Sequence, residues 1–252
     1  AQGSKAPVQR TVDRAALIFV PVVACVAVLT FVAWVVFGGF DCVPQGIISA
    51  VAVLVVACPC AMGLATPTAL MVGIGKAAEK GILIKDATAL EQLRRIDTMV
   101  VDKTGTITIP NSNVDFTKTS SMPLEERETI KPNASEAMTM LTDEGIEVHM
   151  MSGDTPEAAA YWAKKAGITH YMSKALPQDK ENLVLNLQEQ GHKVAMVGDG
   201  INDTQALALA DVSIAMGKGT DVAMDVAQIT LMTDDLMALP EAVAMSRHTV
   251  KM

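Results

Sequence analysis

Two long stretches without a charged residue constrain the fold of this chain more than any other feature. The first runs from Ala15 to Phe37 and the second from Cys42 to Gly75. A helix of about 20 apolar residues crosses the ~30 Å hydrocarbon core of a membrane. We therefore predict a transmembrane helical hairpin over residues 15–80, preceded by a cytosolic flank over residues 1–14. Two buried core helices in a soluble protein are the alternative.

The charges around this hairpin predict its orientation. The loop between the stretches contains Asp41 and no basic residue. Basic residues lie before the first uncharged stretch and after the second, namely Lys5, Arg10, Arg14, Lys76, Lys80 and Lys85. The positive-inside rule places both ends in the cytosol. We expect a multi-pass protein of a bacterial plasma membrane or a eukaryotic secretory-pathway membrane, with the lipid bilayer as a partner.

The composition indicates that a water-soluble domain follows the hairpin. Half of the 252 residues are hydrophobic, only 19% are charged, and the mean hydropathy is +0.31. These values exclude a disordered chain and are too apolar for a single soluble domain. The net charge of −8 argues against nucleic acid as a partner. Four cysteines in a chain of this length are not a disulfide framework.

Short apolar runs alternate with helical segments after a predicted stalk over residues 81–96. This pattern predicts an α/β domain over residues 97–247, with a parallel, doubly wound sheet covered on both faces. Residues 107–130 fit neither pattern, so we interpret them as an exposed connection. The predicted strands are Thr98–Val101, Ile146–Met151, Lys193–Val197, Val212–Ala215 and Ile229–Met232, and the predicted helices are Pro132–Glu144, Pro156–Ala166, Pro177–Gln190, Asp203–Ala210 and Asp221–Ala227.

Residues with acidic, basic or hydroxyl side chains, interspersed with glycine, follow three of the predicted strands. They are Asp102–Thr106, Ser152–Asp154 and Gly198–Asp203. In a doubly wound sheet, ligands bind outside the carboxyl ends of the strands. Carboxylates that meet there form a hard-oxygen site for Mg²⁺, which would neutralise phosphate oxygens while one carboxylate attacks phosphorus. Lys180, at the start of a predicted helix, would supply a fixed cation.

These motifs resemble the phosphorylation domain of P-type ATPases, within the haloacid-dehalogenase-like fold. The resemblance implies that Asp102 is the phosphorylated nucleophile and that ATP is the substrate. It implies Mg²⁺ ligation by Asp102, the carbonyl of Thr104, Asp199 and Asp203. It implies catalytic roles for Asp102, Lys103, Thr104, Ser152, Gly153, Asp154, Lys180 and Asn202.

One position separates the pumps of this fold from its phosphatases. The phosphatases usually have a second Asp two residues after the nucleophile, which acts as acid and base, whereas this chain has Thr104. Thr104 cannot act as an acid or base in this way, so the sequence favours a pump. A membrane-tethered phosphatase is the alternative function.

The second uncharged stretch contains Cys58-Pro59-Cys60. Proline opens the helix, so that both sulfurs could face one point, and two thiolates suit Cu(I) and also accept Zn²⁺. The segment Cys58–Thr68 resembles the fourth core membrane helix of heavy-metal P-type ATPases, and Gly63–Pro67 resembles the copper(I) branch. The resemblance implies ATP-driven export of Cu(I), and of the related Ag(I), with copper delivered by a chaperone. A zinc- or cadmium-transporting pump is the alternative.

Several parts of such a pump have no counterpart in the sequence. The family has an actuator domain, further membrane helices and a nucleotide-binding domain, and only residues 107–130 stand where the nucleotide-binding domain is expected. We therefore expect a partial or reduced form that is not active alone and that works with the missing domains of the same pump.

Overall fold

The computed structural model divides the chain into two compact units, Lys5–Met71 and Val72–Met252. Cys58 and Pro59 lie outside the described residues, as does the side chain of Cys60, so the predicted sulfur pair remains a prediction. The structure describes residues 7–56, 60–85, 87–111, 123–199, 201–217 and 221–249.

The first unit contains the predicted hairpin. Helix α1 (Pro7–Gly38) is joined by a 3₁₀ turn (Phe40–Cys42) to helix α2 (Val43–Val56). Within α1, Ala16–Gly38 is long and apolar enough to cross a membrane, whereas α2 belongs to a shorter apolar helix. Helix α3 (Cys60–Glu79) begins after residues 57–59. The described residues of the predicted second span lie in α2 and α3.

A glycine marks the close approach of α1 and α2. A Cβ at Gly46 would lie 3.1 Å from Cδ2 of Phe31 and 3.2 Å from Cβ of Trp34. Many apolar side chains of α1 point outward, and Phe37 is 90% exposed. Such a surface suits lipid better than water, because apolar area left in water costs free energy.

The second unit is built on a seven-stranded sheet. Its order is β1-β9-β8-β7-β2-β5-β6, and every neighbouring pair is parallel except β1 with β9. Strands β3 and β4 form a separate antiparallel pair. The strands are β1 (Ile82–Ile84), β2 (Thr98–Asp102), β3 (Thr108–Pro110), β4 (Glu128–Ile130), β5 (Glu147–Met151), β6 (His170–Met172), β7 (Val194–Gly198), β8 (Val212–Met216) and β9 (Ile229–Leu231).

Helices cover both faces of this sheet because its central strands are apolar on both sides. Residues alternate along a strand, so Met99 and Val101 of β2 join one buried cluster and Val100 joins the other. Helices α4, α6, α7 and α11 pack on the first face, and α8, α9 and α10 pack on the second. The helices are α4 (Ala87–Leu93), α5 (Leu124–Arg127), α6 (Ala134–Asp143), α7 (Pro156–Ala166), α8 (Pro177–Glu189), α9 (Thr204–Leu209), α10 (Asp221–Val226) and α11 (Ala238–Thr249).

The strand order creates a switch point beside β2. From β2 the chain adds β5 and then β6 on one side, and β7, β8 and β9 on the other. The carboxyl ends of β2 and β7 therefore flank the crevice where doubly wound sheets bind their ligands.

Two regions differ from the sequence prediction. The predicted stalk, residues 81–96, contains β1 and α4, and its side chains Ile82 and Leu93 are fully buried in the core of the domain. The predicted exposed connection, residues 107–130, begins with the buried residues Ile107 and Thr108, and it contains the β3–β4 pair. Burial of Ile107 anchors the start of this connection in the core, and the pairing of β3 with β4 joins its two ends to each other.

Candidate active site

A cavity of about 300 Å³ opens at the carboxyl ends of β2 and β7. It brings together most of the residues that the sequence motifs predict for the site, although they come from four separate segments of the chain. The residues that line it are Asp102, Thr104, Gly153, Asp154, Ala175, Pro177, Lys180, Asp199, Asn202 and Asp203.

Two carboxylates share one ammonium group at the floor of this cavity. Asp102 is the last residue of β2 and is 7% exposed, whereas Asp203 ends a 3₁₀ turn after β7 and is fully buried. Nζ of Lys180 donates to Oδ1 of Asp102 at 2.5 Å and to Oδ1 of Asp203 at 2.6 Å. Charge-assisted bonds of this kind fix the side chain of Asp102 toward the cavity.

The first turn of α8 places Lys180 at this point. Pro177 opens the helix, where its missing N–H costs nothing. Oδ2 of Asp179 accepts the backbone N–H of Leu176 at 2.8 Å, which closes the turn. Lys180 follows directly, with its side chain buried and directed at the carboxylates.

Crowding of negative charge alters the acidity of the cluster. Burial, together with the neighbouring charge of Asp203, raises the pKa of Asp102 to about 7, although Lys180 opposes this shift. Burial and Asp203 also raise the pKa of Asp199. Burial lowers the pKa of Lys180, but Asp102 and Asp203 outweigh burial and raise it overall. The cluster therefore has more negative charge than its lysine balances.

The cluster fits a small divalent cation with hard oxygen ligands. One carboxylate oxygen from each of Asp102, Asp199 and Asp203 lies within 4.8 Å of the others. Mg²⁺ prefers carboxylate ligands and keeps several waters, and the cavity is open enough to hold them.

Two glycines make room for these carboxylates. A Cβ built on Gly105, which has φ of +76°, would lie 1.5 Å from Oδ2 of Asp199. A Cβ on Gly198 would lie 2.6 Å from Oδ2 of Asp203. The glycines of both motifs are thus required by close approach of the acidic side chains.

The loop after β5 is held by its own hydrogen bonds. Oγ of Ser152 accepts the backbone N–H of Asp154 at 3.1 Å, and the N–H of Ser152 donates to the carbonyl of Met172. Ser152 is buried beneath the loop, whereas Gly153 and Asp154 line the cavity. The structure therefore places Gly153 and Asp154 at the cavity and Ser152 behind them.

Lys103 is buried and does not line the cavity itself, but it contacts Asp154, which does. Its Nζ donates to Oε1 and Oε2 of Glu128 at 2.5 and 2.6 Å, and to Oδ2 of Asp154 at 2.5 Å. Glu128 also accepts the hydroxyl of Thr108. Sequence reasoning missed Glu128, which links β4 to the site. The available signal was a buried lysine next to the proposed nucleophile, since a buried ammonium needs an acidic partner.

Comparison with known proteins relates both units to one class of proteins. A sequence model of the haloacid dehalogenase-like hydrolases matches residues 117–211. The whole chain aligns at 33% identity with a copper-exporting P-type ATPase of Staphylococcus aureus (strain MRSA252), of which it covers 44%. It aligns at 34% identity with copper-transporting ATPase 1 of Rhizobium meliloti (strain 1021), of which it covers 43%. The chain thus spans less than half the length of these relatives.

Solved structures give the same relationship. A zinc-transporting PIB-type ATPase in the E2.Pi state superposes on 98% of this chain with a TM-score of 0.80 and 26% identity, and 57% of that protein is covered. The catalytic domain of the CPx-ATPase CopB-B covers 68% of this chain with a TM-score of 0.57 and 26% identity, and 98% of that domain is covered. Because the chain aligns along its whole length with metal-transporting P-type ATPases, in sequence and in fold, we conclude that it is homologous to the copper-exporting P-type ATPases and shares the fold of PIB-type ATPases.

Proposed function

We propose that this chain is part of an ATP-driven pump that exports Cu(I) through an aspartyl phosphate on Asp102. The observation that carries the proposal is the position of Asp102, which ends the central strand and faces a cavity beside Lys180 and two further carboxylates. This arrangement combines a nucleophile, a fixed cation and a cation-binding cluster, as phosphoryl transfer requires.

The covalent step follows from this placement. An Oδ atom of Asp102 attacks the terminal phosphorus of ATP, the bond from phosphorus to the bridging oxygen breaks, and ADP leaves with the electron pair. Water later attacks the acyl phosphate and restores the carboxylate and inorganic phosphate. Lys180 holds the carboxylate in place, and the backbone of Gly153 leaves space for the phosphoryl group.

Magnesium fits the cluster as a resident cofactor. Asp102, Asp199, Asp203 and the carbonyl of Thr104 would hold it, and it would supply positive charge to balance the phosphoryl oxygens.

Copper(I) is the transported ion in this proposal. The thiol pair Cys58 and Cys60 suits a soft cation, and the two bacterial relatives are named as copper pumps. A copper chaperone would deliver the ion, and α1 and α2 would lie in the lipid bilayer of a multi-pass protein. Zinc is the second candidate, because a structural neighbour with a TM-score of 0.80 is a zinc transporter.

The alignment lengths support the expectation of missing parts. The match to the Staphylococcus aureus relative extends over 349 residues, whereas this chain has 252. That relative therefore has residues inside the matched region without a counterpart here. We propose that residues 107–130 replace a nucleotide-binding domain and that other domains of the pump complete its cycle.

Chemical labelling of the chain tests the nucleophile. We expect labelled acetyl phosphate, in the presence of Mg²⁺, to phosphorylate the detergent-solubilised chain at Asp102 and release acetate. The label should be sensitive to hydroxylamine and should be lost in Asp102→Asn. The matched control is Asp97→Asn, which changes an aspartate at the other end of β2. Equal labelling of Asp102→Asn would reject the proposed nucleophile.

Two further measurements separate the alternatives. In the full-length protein, phosphorylation by labelled ATP should depend on copper, and Cys58→Ser should remove that dependence. Stimulation by Zn²⁺ instead of Cu(I) would favour the zinc transporter. Rapid hydrolysis of a small phosphomonoester without a lasting label would favour a phosphatase, which the family match to hydrolases makes the competing function.

A further inference from the structure

A second cluster of metal-ligating side chains lies on the edge strand β6 and its neighbour β5, outside the candidate active site. The chain has four histidines, and two of them, His149 and His170, are direct register partners on these parallel strands. Glu147 is two residues before His149, so both side chains are on the same face of β5. The sheet itself therefore brings a carboxylate and two imidazoles together.

The ligating atoms of this cluster converge. Oε1 of Glu147 lies 2.9 Å from Nε2 of His149 and 3.5 Å from Nε2 of His170. One ligand atom from each residue lies within 4.8 Å of the others. The two imidazole rings stack with their centroids 5.0 Å apart, at an angle of 26°. The three ligand atoms are therefore close enough to bind the same ion.

An unsatisfied nitrogen gives an independent indication. Nε2 of His149 is shielded from solvent, and it has no hydrogen-bond partner among the described residues. Oε1 of Glu147, another member of the cluster, lies 2.9 Å from it. A shielded polar atom without a well-formed hydrogen bond is unfavourable, and an ion is one of the usual ways in which such an atom is satisfied.

The cluster is accessible from solvent. The side chain of His170 is 55% exposed and that of Glu147 is 44% exposed, whereas that of His149 is 15% exposed. An ion would therefore enter from the exposed side and meet His149 at the base of the site. The third histidine of this region, His192, is beside Asp97 and Thr98 and already contacts both.

We propose that Glu147, His149 and His170 form a binding site for a divalent transition-metal ion of the Zn²⁺ class. Two imidazoles and one carboxylate suit Zn²⁺, Cu²⁺ and Ni²⁺, and three protein ligands leave further positions for water. The donors differ from the all-oxygen cluster at Asp102, so Mg²⁺ does not compete effectively for this site. A bound ion would join β6 to β5 at the edge of the sheet.

Zinc titration of the whole chain tests this site. The four cysteines are changed to serine and Mg²⁺ is present in excess, so that thiols and the Asp102 cluster do not contribute. Competition with a chelating dye should show one Zn²⁺ site. His149→Ala and His170→Ala should each weaken binding at least about tenfold, and Glu147→Gln should also weaken it. The matched control is His248→Ala, which changes the histidine of α11 and should leave the affinity unchanged.

Two more readouts keep the test decisive. Zn²⁺ should raise the thermal midpoint of the parent protein but not that of His170→Ala, whose exposed side chain can be removed without opening the core. Bound Cu²⁺ should show coupling to two imidazole nitrogens by electron paramagnetic resonance, and to one in His170→Ala. Equal zinc affinity in the parent, His170→Ala and His248→Ala would overturn the proposal, as would an absence of nitrogen coupling.

Discussion

Gly105 has a backbone φ of +76°, and a Cβ built on it would overlap Oδ2 of Asp199, only 1.5 Å away. Gly145 has a similar φ of +80°, but nothing lies within 4 Å of the position of its Cβ. A substitution at Gly145 therefore tests backbone strain alone, whereas the same substitution at Gly105 tests strain together with crowding of the site. Any side chain at residue 105 must displace a carboxylate of the cluster.

We predict that Gly105→Ala and Gly145→Ala both lower the free energy of unfolding by about 1 to 2 kcal/mol, because each forces alanine into the left-handed region. Only Gly105→Ala should also reduce phosphorylation of Asp102, by roughly tenfold or more, since a 1 Å displacement in a site costs that much. Urea unfolding and acetyl phosphate labelling measure the two effects. Equal labelling of both variants would show that Asp199 is not needed.

A pair of aspartates provides opposite pH dependences of stability. The pKa of Asp102 is raised to about 7 in the folded protein, so the folded protein binds this proton more tightly than the unfolded chain does. The proton therefore stabilises the folded protein in acid, and this contribution to the free energy of unfolding is lost as pH rises from about 4 to about 7. We predict that Asp102→Asn, measured by urea unfolding in EDTA, becomes progressively more stable relative to the parent from about pH 4 to about pH 8. The neutral amide removes the cost of a buried carboxylate.

Asp211 is the matched control. Partial burial raises its pKa, but hydrogen bonds from Gln188, from the N–H of Val194 and from Lys193 outweigh burial and lower it. Its contribution is present above the unfolded pKa and is lost as pH falls through the lower folded value. Asp211→Asn should therefore be less stable than the parent near pH 8, and the difference should shrink in acid. Parallel pH profiles for the two variants would contradict both assignments.

At the scale of elements, the β3–β4 pair connects residues 107–130 to the site. Glu128 of β4 holds Lys103, which adjoins the proposed nucleophile, and the hydroxyl of Thr108 donates to the same carboxylate. Lys103 has no exposed surface. The negative charge of Glu128 in the β3–β4 pair therefore helps to fix Lys103, the residue next to Asp102.

We predict that Glu128→Gln lowers the free energy of unfolding by about 1.5 to 3 kcal/mol, because it weakens charge-assisted bonds to a buried ammonium. The control, Glu126→Gln, changes an exposed residue on the same segment and should cost less than about 0.5 kcal/mol. Urea unfolding gives both values, and amide hydrogen exchange at β3 should increase only in Glu128→Gln. Similar losses in the two variants would show that the buried contact is unimportant.

The sequence predicted the strands that are buried on both faces. Strands β2, β5, β7, β8 and β9 appear where apolar runs predicted them, and the acidic motifs meet because carboxyl ends of parallel strands share an edge. Strands β1, β3, β4 and β6 have three residues each and were not predicted, whereas β9 has the same length but lies within a predicted apolar run. A strand of three residues is too short to show a period, and its pairing depends on neighbours distant in the chain.

The candidate site was predictable to a similar extent. Asp102, Asp199 and Asp203 were found because each follows an apolar run, and the structure brings their carboxylates together. Glu128 was not found, because it lies in a polar segment without periodicity and acts through a contact with Lys103. Lys103 indicated that an acidic partner exists, but which residue it is depends on packing between distant segments, and that leaves no local sequence signal.

At the scale of the whole molecule, the division into two units places the entire candidate site in residues 72–252. That unit buries apolar clusters on both faces of its sheet. The other unit exposes apolar side chains on α1, including Phe37. The two units thus differ in the solvent that suits them.

We predict that residues 72–252, expressed alone, form a soluble domain that unfolds in one cooperative transition and is labelled by acetyl phosphate. Its two buried clusters supply the core that a domain of this size requires. Circular dichroism in urea and labelling provide the measurements, with Asp102→Asn in the same fragment as the control. A fragment that binds a hydrophobic dye and unfolds without a cooperative transition would contradict independent folding.

The central position of β2 has a consequence for synthesis on the ribosome. Thr98 pairs with Glu147 on one side but with Val194 on the other, so one edge of β2 stays open until nearly a hundred more residues are made. At about 5 to 20 residues per second, this interval lasts roughly 5 to 20 s. During that interval the apolar strand β2 can pair with other nascent chains and aggregate. A chaperone that shields its open edge would raise the yield of active protein.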